Sequence, residues 1–274
     1  MSIITLTSDW GTHDYFAGAL KGRLLSKIPD AQIVDISHDI PAHNVVYASY
    51  VFGNTYKHFP KGTIHLVTVQ ASVEHSKNEP EKNISDYLAV EMDGHFFIVS
   101  NSGLISLLTN GVIPKIVRLQ FPKKNYTKHY FNELADVISV LYKSNDVASL
   151  GEYTDDFLQA TLLNPIVEPS VIRGTVVYID RFGNLVTNIE RQLFEEVRSQ
   201  RRFIISLRKH EYDINALSEW YDDVVEGEKV AMFNAADKLE IGLNKGIANK
   251  LFGLKIGDTI RIDFYDNESS KIDY

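Results

Sequence analysis

Ile3-Ile4-Thr5-Leu6 passes directly into Thr7-Ser8-Asp9-Trp10-Gly11-Thr12, a short apolar run ending in a polar loop. A run of that length, rich in β-branched residues, reads as a buried strand. Phe16 to Ile28 follows with apolar residues at helical spacing, Leu20, Leu24 and Leu25 on one face, and Pro29-Asp30 stops it. Gln32 to Ile36 reads as a second strand, Asn44 to Tyr56 as a second helix with Gly53 weakening its last turn, and Ile64 to Val69 as a third strand. Strand, helix and strand in alternation predict an α/β domain with a mostly parallel sheet flanked by helices.

Beyond this segment, Ser76 to Asp86 is polar and reads as a solvated loop. Tyr87 to Met92, Asp93-Gly94 and His95 to Val99 read as a hairpin, because Asp-Gly favours a tight primed turn. Phe131 to Tyr142 is an amphipathic helix. The composition changes at Asn164-Pro165-Ile166-Val167-Glu168-Pro169, where two prolines predict an extended linker. Short strand candidates follow at Gly174 to Ile179, Phe203 to Leu207, Lys229 to Phe233, Leu239 to Leu243 and Thr259 to Phe264. They predict a C-terminal all-β, barrel-like domain. The expected division is residues 1–164 as the α/β domain, 165–172 as linker and 173–274 as the β-barrel.

With 274 residues and no cysteine, the chain has ample length for a core and no means of making disulfides or cysteine-held metal sites. A net charge of −8 without a dense basic stripe argues against nucleic acid as a partner. The start of the chain lacks a basic region followed by an apolar run, and no apolar stretch would cross a bilayer. A cytoplasmic location away from membranes is expected.

Three polar loops end apolar strands, where ligands bind in open α/β sheets. In Ser8 to Asp14, the Asp9 carboxylate can accept hydrogen bonds from a sugar diol and Asp14 can bind an ammonium. Either could instead cap the following helix. In Asp180-Arg181-Phe182-Gly183-Asn184, Phe182 can stack on a flat ring and Asn184 can read a purine edge, while Gly183-Asn184 also suits a plain hairpin turn. Phe233 to Gly246 reads as strand, turn and strand. His38 and His43 lack a third ligand at metal-binding spacing, so no metal is expected.

Taken in order, these segments resemble the S-adenosylmethionine hydroxide adenosyltransferases, a family that includes bacterial fluorinases and chlorinases. The resemblance is carried by Thr7 to Asp14 with Gly18-Ala19-Leu20-Lys21-Gly22, by Ile36-Ser37-His38-Asp39-Ile40-Pro41, by Ser100-Asn101-Ser102-Gly103-Leu104, by Ile179 to Ile189, and by Leu239-Glu240-Ile241-Gly242-Leu243-Asn244. It implies an α/β domain, a C-terminal β-barrel and a homotrimer whose sites lie at subunit interfaces. It further implies that Asp9 binds the ribose hydroxyls of S-adenosylmethionine. Asp14 and Asp180 would hold the methionine amino group with help from Asn234 and Ala235, and Phe182, Asn184 and the backbone near Asn244 would contact adenine. His43 falls where relatives place an aromatic ring beside the ribose.

The implied reaction is attack on the ribose 5′ carbon opposite the sulfonium, giving adenosine and L-methionine when the nucleophile is water, with no cofactor. Hydrolytic relatives orient water with an Asp, an Arg and a His. Here Gln70 stands at the Asp, Lys77 near the Arg, and Asn132 or Glu133 at the His, whereas halogenating relatives place a Tyr at the Gln70 position. The expectation is therefore an S-adenosylmethionine hydrolase with an altered water site. A binding protein without turnover and a halide adenosyltransferase are the alternatives.

Overall fold

A computed structural model of the chain describes residues 3–71, 84–109, 114–122 and 126–266. The chain divides into two compact units, Met1–Leu162 and Leu163–Tyr274.

The first unit runs β1 (Ile3–Ser8), α1 (Phe16–Lys27), β2 (Gln32–Ser37), α2 (Val45–Gly53), β3 (Ile64–Thr68), β4 (Ile84–Met92), β5 (His95–Ser100), α3 (Leu104–Thr109), β6 (Lys115–Pro122) and α4 (Tyr126–Ser144). Its strands form one sheet in the order β2-β1-β3-β5-β4-β6. β2, β1, β3 and β5 are parallel neighbours, and β4 runs antiparallel to both β5 and β6. Helices cover both faces. Ile4, Leu6, Leu66 and Ile98 pack with Leu24 of α1 and Leu134 and Ile138 of α4. Val67, Phe97 and Val99 pack with Ala48 and Phe52 of α2 and Leu104 of α3. Each such buried side chain stabilises the fold by about 1.5–3 kcal/mol.

The expected mostly parallel sheet is present. α4 begins five residues earlier than the amphipathic pattern indicated, and α3 and β6 add elements that the sequence reading passed over. Asn44 caps α2, its Oδ1 accepting the Tyr47 N–H at 2.9 Å. The polar loop expected at Ser76 to Asp86 is described only from residue 84, where β4 begins.

The second unit contains β7 (Ile166–Glu168), β8 (Val171–Ile179), β9 (Leu185–Glu190), α5 (Arg191–Arg198), β10 (Arg202–Ser206), β11 (Lys229–Phe233), β12 (Lys238–Leu243), α6 (Ala248–Phe252) and β13 (Thr259–Tyr265). An antiparallel sheet in the order β10-β13-β8-β9-β12-β11 curls as a half-barrel, and β7 pairs with β8. Two expectations are corrected. The unit is not all-β, because α5 buries Phe194 against Phe203, Phe233 and Phe264 at ring distances of 5.2, 5.4 and 5.5 Å, and α6 buries Ala248 and Phe252. Residues 165–172 are not a bare linker, because Ile166 to Glu168 pairs in register with Val171 to Arg173. Pro165 and Pro169 flank the short strand and remove no ladder donor from within it. Among the described residues no helix is long and apolar enough to cross a membrane.

Candidate active site

In the sheet of the first unit, β1 lies between β2 and β3. The chain leaves β1 toward one edge and returns past it to build β3, so the carboxyl ends of β1 and β3 flank a topological switch point, where such sheets bind ligands. Asp9 stands there, one residue beyond β1. Its Oδ2 accepts the backbone N–H of His43 at 3.0 Å and of Gln70 at 3.1 Å. Both donors sit in the left-handed region, at φ 61° and 53°, a conformation that costs non-glycine residues on the order of 1–3 kcal/mol. One carboxylate thus draws together three residues singled out from the sequence. An ionised carboxylate offers about four acceptor positions, and Oδ1 accepts no hydrogen bond among the described residues.

Capping of α1 is not the role of either acid in this segment. α1 starts after Tyr15 with no side-chain cap, and Asp14 is exposed.

Asp9 is held from behind. Ser8 Oγ and His38 Nδ1 lie 2.7 Å apart, both buried. The His38 carbonyl accepts the Gly11 N–H at 2.7 Å. His38 Nε2 lies 3.1 Å from Asp35 Oδ1 without hydrogen-bond geometry, and Asp35 also pairs with Lys21. A serine, a histidine and an aspartate in line suggest nucleophilic catalysis. Ser8, however, is 1% exposed, so the group clamps the end of β1 and cannot reach a substrate. His38 is thereby committed to Ser8, and no group of three or more His, Asp or Glu could hold a metal among the described residues.

The altered water set is partly in view. Gln70 is half-buried just beyond β3, and Asn132 and Glu133 are half-buried near the start of α4. Trp10 packs edge-on against Phe131 at 5.7 Å and Tyr130 at 6.3 Å. These contacts bring the Asn132-Glu133 turn against the Asp9 loop. Lys77 lies outside the described residues.

In the second unit, Asp180 to Asn184 is a hairpin turn between β8 and β9, with Gly183 at φ 86° and its N–H donating to the Asp180 carbonyl at 3.0 Å. The turn reading holds, and Asp180 closes the turn from within. Asp180 Oδ1 accepts the N–H groups of Phe182 at 2.9 Å and Asn184 at 2.8 Å, and Oδ2 accepts from Asn184 Nδ2 at 2.9 Å. Phe182 is 74% exposed and offers its ring to solvent. Asn184 Nδ2 also donates to the Tyr221 hydroxyl at 2.9 Å. Tyr221 donates to Glu240 Oε1, and Glu240 Oε2 accepts from Asn234 Nδ2 at 2.9 Å. Burial, then the Glu240 hydrogen bond and charge, push the Tyr221 phenol up from its ordinary range.

The same network connects Asn234, at the β11–β12 turn, to Asn184. Ala235 follows Asn234 in that turn. Asn244 plays a supporting part, because its Nδ2 donates to the Val224 carbonyl at 2.7 Å and braces the segment carrying Tyr221. The sequence reading missed Tyr221 and Glu240. Glu240 left a signal, a single charge inside the apolar run Leu239 to Leu243.

Gly242 sits under this network. A Cβ there would lie 2.7 Å from Asn184 Oδ1 and 2.9 Å from the Tyr221 ring. Gly242→Ala is expected to displace both side chains and destabilise the second unit by about 1–3 kcal/mol, measured by urea unfolding. An unchanged urea midpoint would contradict the close packing of these side chains over Gly242.

Two family models match the chain, the SAM hydroxide adenosyltransferase N-terminal domain over residues 4–151 and its C-terminal domain over residues 174–261. The chain belongs to the SAM hydroxide adenosyltransferase family. Among its relatives, the (R)-S-adenosyl-L-methionine hydrolase of Methanocaldococcus jannaschii is 25% identical over 96% of both chains. That of Thermus thermophilus is 24% identical over 96% of this chain and all of the relative. A fluorinase from an Actinoplanes species is 22% identical over 95% of this chain and 97% of its own length. A crystal structure of an uncharacterized conserved protein from Thermotoga maritima superposes with a TM-score of 0.80 at 27% identity, covering 95% of this chain and 99% of that one. The two matched ranges include the Asp9 loop and the Asp180–Asn184 turn.

Proposed function

We propose that this chain hydrolyses S-adenosylmethionine to adenosine and L-methionine. The observation that carries the reading is the Asp9 carboxylate at the β1/β3 switch point, ordered by two backbone N–H groups and left with acceptors for a ribose diol. Water would attack the 5′ carbon as the carbon–sulfur bond breaks. The bonding pair leaves with sulfur as the neutral thioether, and the water proton is released. The sulfonium already makes a good leaving group, so we assign no cofactor, and positioning with exclusion of bulk water supplies the acceleration.

Asp9 and His43 would hold the ribose, Asp14 and Asp180 the amino group, and Phe182 and Asn184 the purine, with Asn234, Ala235 and Asn244 supporting. Gln70, Lys77 and Glu133 or Asn132 would form the altered water site. We further propose that the two half-sites meet across subunits of a cytoplasmic homotrimer whose second domain is a barrel.

Gln70 at the place of the water-orienting Asp favours a second reading, binding without turnover. Purified protein incubated with S-adenosylmethionine and resolved by chromatography separates them. Adenosine and methionine in equal amounts, above the protein-free control, support hydrolysis. Tight binding with the ligand recovered intact supports the second reading. Lys77→Ala and Glu133→Gln are expected to lower kcat about tenfold or more with little change in KM, and a rise in KM alone would make them binding residues.

A further inference from the structure

We propose that Tyr221 and Glu240 are positioning residues that fix the Asn184 amide as a pure acceptor, so that Asn184 recognises a 6-amino purine through that amino group and donates nothing to N7. This rests on the adenosine-binding reading above and adds to it how the base is chosen.

Donor accounting fixes the amide. The Asp180 carboxylate only accepts, so the end of Asn184 facing its Oδ2 at 2.9 Å is the NH2. The second hydrogen of that NH2 meets the Tyr221 oxygen at 2.9 Å. The Tyr221 proton is committed to Glu240 Oε1, so its oxygen is the acceptor toward Asn184. Glu240 cannot turn away, because its other oxygen accepts from Asn234 Nδ2 at 2.9 Å. Asn234 is itself oriented, its Oδ1 accepting the N–H groups of Ala236 at 3.0 Å and Lys238 at 3.3 Å.

The turn holding Tyr221 is equally determined. Asp223 Oδ2 accepts the N–H groups of Glu219 at 2.8 Å and Trp220 at 3.0 Å. Glu240 is 9% exposed, between the fully buried Leu239 and Ile241. Such a buried carboxylate makes sense as the terminus of a chain of donors.

With both Nδ2 hydrogens spent, Oδ1 above Gly242 is what Asn184 has left. An acceptor pairs with an exocyclic amine and opposes the 6-oxo group of hypoxanthine. Asn184 has no donor left for N7.

The test uses the full chain and calorimetry with adenosine, inosine and 7-deazaadenosine. Inosine is expected to bind about 100-fold more weakly than adenosine, because a buried acceptor would be left facing another acceptor. 7-Deazaadenosine is expected within about threefold of adenosine, since no hydrogen bond is lost. Tyr221→Phe and Glu240→Gln are expected to shrink the adenosine-to-inosine ratio to about tenfold or less by releasing the amide. Equal binding of inosine and adenosine, a 7-deazaadenosine loss as large as that of inosine, or variants that weaken all three nucleosides with the ratio intact would each overturn the proposal while leaving adenosine binding in place. Absence of adenosine binding to the unaltered chain would overturn the functional reading as well.

Discussion

Asp9→Ala is expected to lower affinity for S-adenosylmethionine by about 100-fold to 10,000-fold, from two charge-assisted hydrogen bonds of about 1.5–3 kcal/mol each. The loss has a second source. Asp9 Oδ2 holds the N–H groups of His43 and Gln70, both in left-handed backbone. Without the carboxylate, these loops relax toward ordinary conformations and the pocket loses its shape before any ligand arrives. Asp9→Asn separates the two effects. It keeps an oxygen that can accept from the loops and loses the charge that the ribose hydroxyls would meet. Its expected affinity lies between those of the wild type and Asp9→Ala. Calorimetry on folded variants decides the matter, and unchanged affinity in Asp9→Ala would remove Asp9 from the site.

Acidification is expected to destabilise the protein well before its carboxylates titrate. His65, fully buried on β3, has its Nδ1 2.7 Å from Thr5 Oγ1 and its Nε2 3.2 Å from His95 Nδ1. The rings of Phe52, Tyr56, Phe59 and Phe97 surround it at 5.2–6.0 Å. Burial, and then the neighbouring His95, push its pKa down to about 3 from 6.5. His95 is lowered as well, by burial first. The unfolded chain takes up a proton near pH 6.5 and the folded chain does not until about pH 3. Stability is therefore level above pH 6.5 and falls below it, by about 1.4 kcal/mol per pH unit for His65 alone. Between pH 6.5 and 5 the loss is about 2 kcal/mol, read as a drop in the urea midpoint. The Thr5→Val/His65→Leu double variant is expected to flatten this slope, whatever its absolute stability. A slope unchanged in that variant would contradict the assignment.

The fold was legible where apolar runs end in polar loops, because such runs report burial directly. β1, β2 and β3 follow from that signal, and the hairpin of β4 and β5 from two such runs joined by Asp93-Gly94. α5 did not, because Arg191 to Arg198 is half charged and buries only Phe194. The linker reading failed because two prolines say only that a segment is extended, and an extended segment beside β8 pairs with it.

At the candidate site, Asp9 and Asn184 were visible as residue types in polar loops at strand ends. Their partners were not. The bonds from His43 and Gln70 span 34 and 61 residues and come from backbone N–H groups, which carry no sequence signature. Tyr221 lies in a polar stretch of ordinary composition and acquires its role only when β12 brings Glu240 beneath it.

The most direct test of the central claim is incubation of the purified chain with S-adenosylmethionine in 18O-labelled water, with both products read by mass spectrometry. Attack of water on the 5′ carbon predicts adenosine carrying one 18O in its 5′ hydroxyl and methionine carrying none. Failure to form adenosine, or adenosine without the label, would contradict the account.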